Sequence, residues 1–256
     1  MVTALPMETL TVQPAVSGRL DILKGYNLEM DPRLTITGKN LYKSRELVPK
    51  DFRISTAAEE LALQLAEEAA GKDPRQATVF DDLFARNEGQ VYVFQWTETG
   101  LRVPKGTQPE YFQTDSNGSK YYPRIVLIGD KEVGEVLVPE GDGRVVTKWD
   151  KVFGLPAETE SIKFPHTPYT THFRFNSNPQ KDPVSGQQDV AVGRRSNWPH
   201  FENERCLNVD SDYERWGAGS DGGFRLVRGS VQVIERRRIS LEADAVQKAL
   251  ASVGSG

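Results

Sequence analysis

Gly217-Ala-Gly-Ser-Asp-Gly222-Gly-Phe-Arg-Leu-Val-Arg228 is the stretch whose reading decides the fold. Its first six residues fit G-x-G-x-x-G. A dinucleotide fingerprint of that form needs a strand before it and a helix after it, because the helix N-terminus holds the pyrophosphate. Here the preceding residues are polar and rich in Asp, among them Asp210 and Asp212. The residues after it, Phe224 to Val227, are strand-like. The stretch therefore reads as a glycine-rich loop entering a closing strand, with no helix for a phosphate to dock on.

Working outward, Val231 to Ile234 reads as a second closing strand, and Ser240 to Ser252 as a terminal helix with Leu241, Ala245, Ala249 and Leu250 on one face. Upstream, Val91 to Trp96 is a strand by its β-branched and aromatic content. Arg124 to Ile128 and Val133 to Val138 read as a hairpin about a Gly129-Asp130 turn. Thr107 to Tyr122 and Tyr169 to Gly186 read as long polar loops, of the kind that carries function. The clearest helix starts at Thr56, an N-cap whose capping box is completed by Glu59. Its apolar face is Ala58, Leu61, Ala62, Leu65 and Ala69, and Gly71 and Pro74 end it. A short helix capped by Thr78 comes next. The first fifty residues show no helical period; Leu34 to Thr37 reads as a short strand.

The chain has 256 residues, enough for a substantial core, with a net charge of −4. The acidic balance argues against a nucleic-acid partner, and the basic run Arg236 to Arg238 reads as a solvated face. No apolar run has the length of a membrane span, so membrane insertion is not expected. The first eighteen residues lack a basic and then apolar leader, which points to the cytoplasm or to a particle assembled there. A single cysteine, Cys206, excludes an intrachain disulfide framework and a cysteine-rich zinc site. His166 and His172 have no carboxylate at a familiar ligand spacing, and Ser196 with His200 lacks a nucleophile elbow. No cofactor is expected. Asn208, Asp210, Asp212 and Asp221 form an oxygen-rich stretch on which calcium is possible, although the order is not that of an EF-hand.

Three segments carry a family resemblance: Val192-Gly-Arg-Arg-Ser-Asn-Trp198, Glu204-Arg-Cys-Leu207 and Gly222-Gly-Phe-Arg-Leu-Val-Arg228. They resemble the C-terminal core of the formylglycine-generating enzyme family, with its "RGGSW" and closing "GFRLVR" segments. Gly154-Leu-Pro-Ala-Glu-Thr-Glu160 looks like the family's "LPTEAEWE". The resemblance spans about residues 150 to 230 and implies a C-type-lectin-like fold. It does not carry the thiol-dependent activity across, because Trp198 to Glu204 holds no cysteine where catalytic members have a pair. The variable proteins of diversity-generating retroelements, including phage tropism determinants, are similar in the same way. In them the segment before the closing motif is the ligand-binding face.

The resulting expectation is an α+β chain: an N-terminal region (1–86) for attachment or oligomerisation, a C-type-lectin-like domain (87–235) with small antiparallel sheets, two helices and long loops, and a helical tail (236–256). Its function would be non-catalytic recognition of a protein or cell-surface ligand, in a homo-oligomer. The expected recognition residues are Asn197, Trp198, His200, Phe201, Asn203, Asn208, Asp210, Asp212, Tyr213, Arg215, Trp216, Ser220 and Asp221. Their mixture of aromatics and small polar side chains is the make-up of a paratope. The alternatives are a structural particle component, or a formylglycine-generating-type enzyme with altered chemistry.

Overall fold

The computed structural model describes residues 29–72, 94–161, 170–197, 206–217 and 222–228. These residues build one mixed sheet of twelve strands with two helices. The α+β, C-type-lectin-like expectation is thereby corrected to a mostly β architecture. The physical reason lies in two segments that look too polar for strands. The polar stretch 169–186 contains β9 (Thr171–Phe175), and the Asp-rich stretch contains β11 (Cys206–Tyr213). These two pair in parallel, Leu207 opposite Thr171 through Ser211 opposite Phe175.

The centre of the sheet is β3 (Phe94–Arg102). Along one edge it pairs antiparallel with β10 (Asp189–Asn197). Its other edge is shared. Residues 94–96 pair in parallel with β12 (Gly222–Arg228), and residues 99–102 pair antiparallel with β5 (Lys120–Ile128). Between these two partners the sheet splits, and the N-terminus of α2 (Ala57–Ala69) fills the wedge. Ser55 N donates to Arg225 O, Glu98 N donates to Ser55 O, and Ala57 N donates to Thr99 Oγ1.

From β5 the hairpin continues into β6 (Lys131–Pro139), turning at Gly129-Asp130 as the sequence predicts. From β10 the sheet runs through β11 and β9 to β7 (Arg144–Asp150) and β8 (Leu155–Glu160). The path curls until β6 and β8 lie against each other. The enclosed core holds Leu101, Val126, Val138, Leu155, Phe173, Val190, Val192 and Val209, with Ala57 of α2 closing it. The segment likened to "LPTEAEWE" is thus a strand, β8.

On the other face of β3 a second core forms from Leu41, Ile54, Phe94, Trp96, Ala191 and Phe224. It is covered by α1 (Leu41–Arg45), a short helix with no signal in the apolar periodicity, capped by Asn40. Strand β1 (Glu29–Ile36) pairs with β12, and β2 (Arg53–Ile54) pairs with β12 beyond it. β4 (Gln113–Thr114) adds to β5. The capping box at Thr56 and Glu59 is present, and α2 ends near Gly71 at a left-handed φ of 70°. The expected elements at 78–84, 231–234 and 240–252 lie outside the described residues. Among the described residues no helix is long and apolar enough to cross a membrane.

Candidate functional site

The expected recognition segment is not one continuous surface. β10 and β11 are an antiparallel pair whose last partners are Asn197 and Cys206. Residues 198–205, with Trp198, His200, Phe201 and Asn203, fall between those two partners in sequence and lie outside the described residues. From Cys206 the chain runs the length of β11 to Tyr213, opposite Ala191. At ~3.3 Å per residue this separates the two ends of β11 by roughly 23 Å.

Between those ends the candidate side chains are interior. Asn208 and Asp210 are buried, and Asp210 pairs with Arg195, Nε to Oδ2 at 2.6 Å. Tyr213 is half-buried. Its hydroxyl accepts from Arg195 Nη1 at 2.6 Å, and the guanidinium also stacks on its ring. The side chains of Asn197 and Asp212 are outside the described set. His172 is buried on β9 and donates from Nδ1 to Gly143 O at 2.9 Å.

Past Tyr213 the chain enters an ionic lock. Arg215 is 1% exposed. Its Nη2 reaches Gly129 O at 2.7 Å and Asp130 Oδ1 at 2.8 Å, and its guanidinium stacks on Tyr42. Arg45 stacks on the same ring and bridges Glu98 and Asp130. The Tyr42 hydroxyl donates to Asp182 at 2.6 Å. Burial first, and then that hydrogen bond, hold its pKa above the ordinary phenol range. Asp189 is fully buried and takes both Nε and Nη2 of Arg102. Arg215 therefore anchors the sheet and is not available at a surface. Trp216 is half-buried, and its carbonyl accepts from Asn40 Nδ2 at 3.1 Å.

The chain then returns. Gly222 opens β12 opposite Phe94, in the row of Arg195, and is held by Thr37 and Gly38, whose N–H groups donate to its carbonyl. That row is two residues from Asn197 and two strands from β10, a lateral offset of roughly 10 Å. Ser220 and Asp221 lie outside the described residues. Of the candidates that the structure describes, Asn208, Asp210 and Arg215 lie in the interior.

Sequence reasoning missed the polar groups on the inner face. Arg194 is buried at 1% exposure and donates from Nη1 to Gln64 Oε1 of α2 at 3.0 Å. Its cross-strand partner Gln95 is fully buried. Burial pushes the Arg194 guanidinium down to about 10, with Glu60 opposing and Arg225 reinforcing that shift. The signal was available: Val190, Val192 and Arg194 alternate along one strand, which puts an arginine on the face of two core valines. Elsewhere a groove of about 420 Å³ runs between β6 and β8. Three of its four acidic groups are already engaged: Asp115 by the N–H of Asn117 and Ser119, Asp150 by those of Val152 and Phe153, and Glu158 by Lys148.

Among the described residues no group of three or more His, Cys, Asp or Glu is placed to hold a metal ion. A scan against protein-family models and searches of curated proteins and solved structures find no match to this chain.

Proposed function

We propose that this chain is a non-catalytic binding protein that recognises a protein or cell-surface ligand with the hairpin connection 198–205, flanked by residues 218–221. One observation carries the reading: the Asn197–Cys206 pair closes β10 and β11 on either side of a connection containing Trp198, His200 and Phe201. Aromatic side chains on a segment held at both ends by strands give large contact area at low entropic cost. The pair of buried Asp210 with partly buried Arg195, on the flanking strands, supports the same role, since it fixes the scaffold that holds this segment at both ends. Diversification of this connection by a retroelement is part of the proposal and rests on the motif resemblance.

The test is to sequence the locus and its flanking DNA across isolates. The expected result is substitution concentrated in codons 198–205 and 218–221, with Asn208, Asp210 and Arg215 unchanged, beside a near-copy of the variable segment. Substitutions spread evenly over 197–221, buried positions included, would sink the reading. A stable oligomer that covers 198–205 would assign the chain a structural role in a particle instead.

A further inference from the structure

We infer that Arg194 and Gln95 form an internal receptor for the carboxylate of a small organic acid, a site separate from the recognition surface. Two buried side chains face each other across the β3–β10 ladder with most of their polar atoms unpartnered: Nε and Nη2 of Arg194, and both Oε1 and Nε2 of Gln95. Buried polar groups are nearly always hydrogen-bonded, so a cluster that is not calls for a ligand, an ion or water. The geometry of the free donors selects among them. With Nη1 spent on Gln64, what remains of Arg194 is the Nε/Nη2 edge, whose two parallel N–H groups match the two oxygens of a carboxylate. The same molecule shows what that edge takes. Arg102 uses Nε and Nη2 on the two oxygens of Asp189 at 2.7 and 2.8 Å, and Arg45 uses them on Glu98. Gln95 Nε2 supplies a third donor.

Charge points the same way. The charges that act on Arg194 are those of Glu60, Arg225 and Glu68. Glu60 is fully committed: Oε1 accepts from Ser55 Oγ at 2.6 Å and Arg225 Nε at 3.1 Å, and Oε2 from Arg225 Nε at 3.3 Å. The other carboxylate acting on Arg194, Glu68, is exposed and accepts from Gln64 Nε2 at 2.9 Å, so no carboxylate touches the buried Arg194 guanidinium, and an uncompensated ion there is costly. A bound carboxylate removes that cost. Arg194 is three residues from Asn197, the last residue of β10, so the site lies near the end of the sheet rather than at its middle.

The experiment is thermal unfolding of the full chain against acetate, with chloride at matched ionic strength as the comparison, together with saturation-transfer-difference NMR on acetate. The expected result is a saturable rise in Tm with acetate, roughly 5 °C or more at a hundredfold excess over Kd, with no equal response to chloride. Arg194→Met should abolish both the rise and the NMR signal. Gln95→Glu places a carboxylate of the chain itself opposite the guanidinium; it should raise Tm without acetate and remove the acetate response. Equal effects of acetate and chloride on the wild type, or a wild-type acetate response in Arg194→Met, overturn the proposal. If Arg194→Met does not fold, Gln95→Glu decides alone, and a lower Tm in that variant overturns it. None of these outcomes bears on the recognition surface, which the sequencing of isolates tests.

Discussion

Arg225 and Glu60 are both fully buried, joined at 3.1 Å, and neither has access to water to recover solvation if the other is lost. Arg225 also donates from Nη1 to Asp31 O at 3.0 Å, so the pair ties β12 to both β1 and α2. Glu60→Gln should therefore destabilise the chain by about 3–5 kcal/mol in urea unfolding, because it strands a buried guanidinium beside a second one. Replacing both residues, Glu60→Met with Arg225→Met, should recover most of that loss, since a buried pair often gains little over apolar packing of similar volume. A Glu60→Gln loss below about 1 kcal/mol would show that water reaches the pair. At this scale the sequence is a poor guide. Arg225 sits inside the closing motif that prompted the family resemblance, yet nothing near it in sequence names Glu60, which lies on another element. Asn208 and Asp210 read as exposed for the same reason: the partner that makes Asp210 tolerable in the interior, Arg195, is on a neighbouring strand. A buried polar residue looks like a surface residue until its partner is known.

Elements stabilised by their own neighbours were legible. The capping box of α2 and the hairpin about Gly129-Asp130 depend on residues within a few positions of each other. Strands β9 and β11 were not, since their strand character comes from pairing with each other in parallel and from flanking strands distant in the chain. Glycines mark where elements press together. Gly154, at the turn into β8, has φ of 71°, and a Cβ there would lie 2.3 Å from the Ala57 carbonyl carbon and 2.4 Å from its oxygen. The first turn of α2 thus rests on that turn, and the neighbour that would have to yield is helix backbone. Gly154→Ala combines a left-handed penalty of ~1–2 kcal/mol with overpacking of ~1–3 kcal/mol, so a loss of about 3 kcal/mol is expected. Gly143→Ala is the control. Its φ of 76° carries the same backbone penalty, and nothing lies within 4 Å of the added atom. Its loss in chemical unfolding should be only the ~1–2 kcal/mol of the backbone. Equal losses at the two sites would mean that α2 moves aside freely.

For the whole molecule the decisive cross-link is the lock around Tyr42, which joins α1, β3, the β5–β6 turn, the 182–189 segment and the residues after β11 through Arg45, Arg102 and Arg215. No local pattern announces it, because its members are drawn from across the chain; they meet only through the mixed topology, which one sequence does not reveal. Asp130 is its exposed member. Burial pushes this carboxyl up, but Arg45 and Arg215 outweigh that and hold it below the ordinary carboxylate range. A pKa depressed by folding adds stability above the unfolded value of about 3.9 and loses it as pH falls through the lower folded value. Asp130→Asn should therefore lower Tm at pH 7, and its Tm should fall less steeply than that of the wild type below about pH 4. Because the Asp130 side chain is 72% exposed, the difference should shrink as salt is added. Thermal scans from pH 7 to 2 at low and high salt provide the measurement. Parallel curves for the two proteins would mean that the lock holds through Asp182 and Asp189, with Asp130 merely adjacent to it.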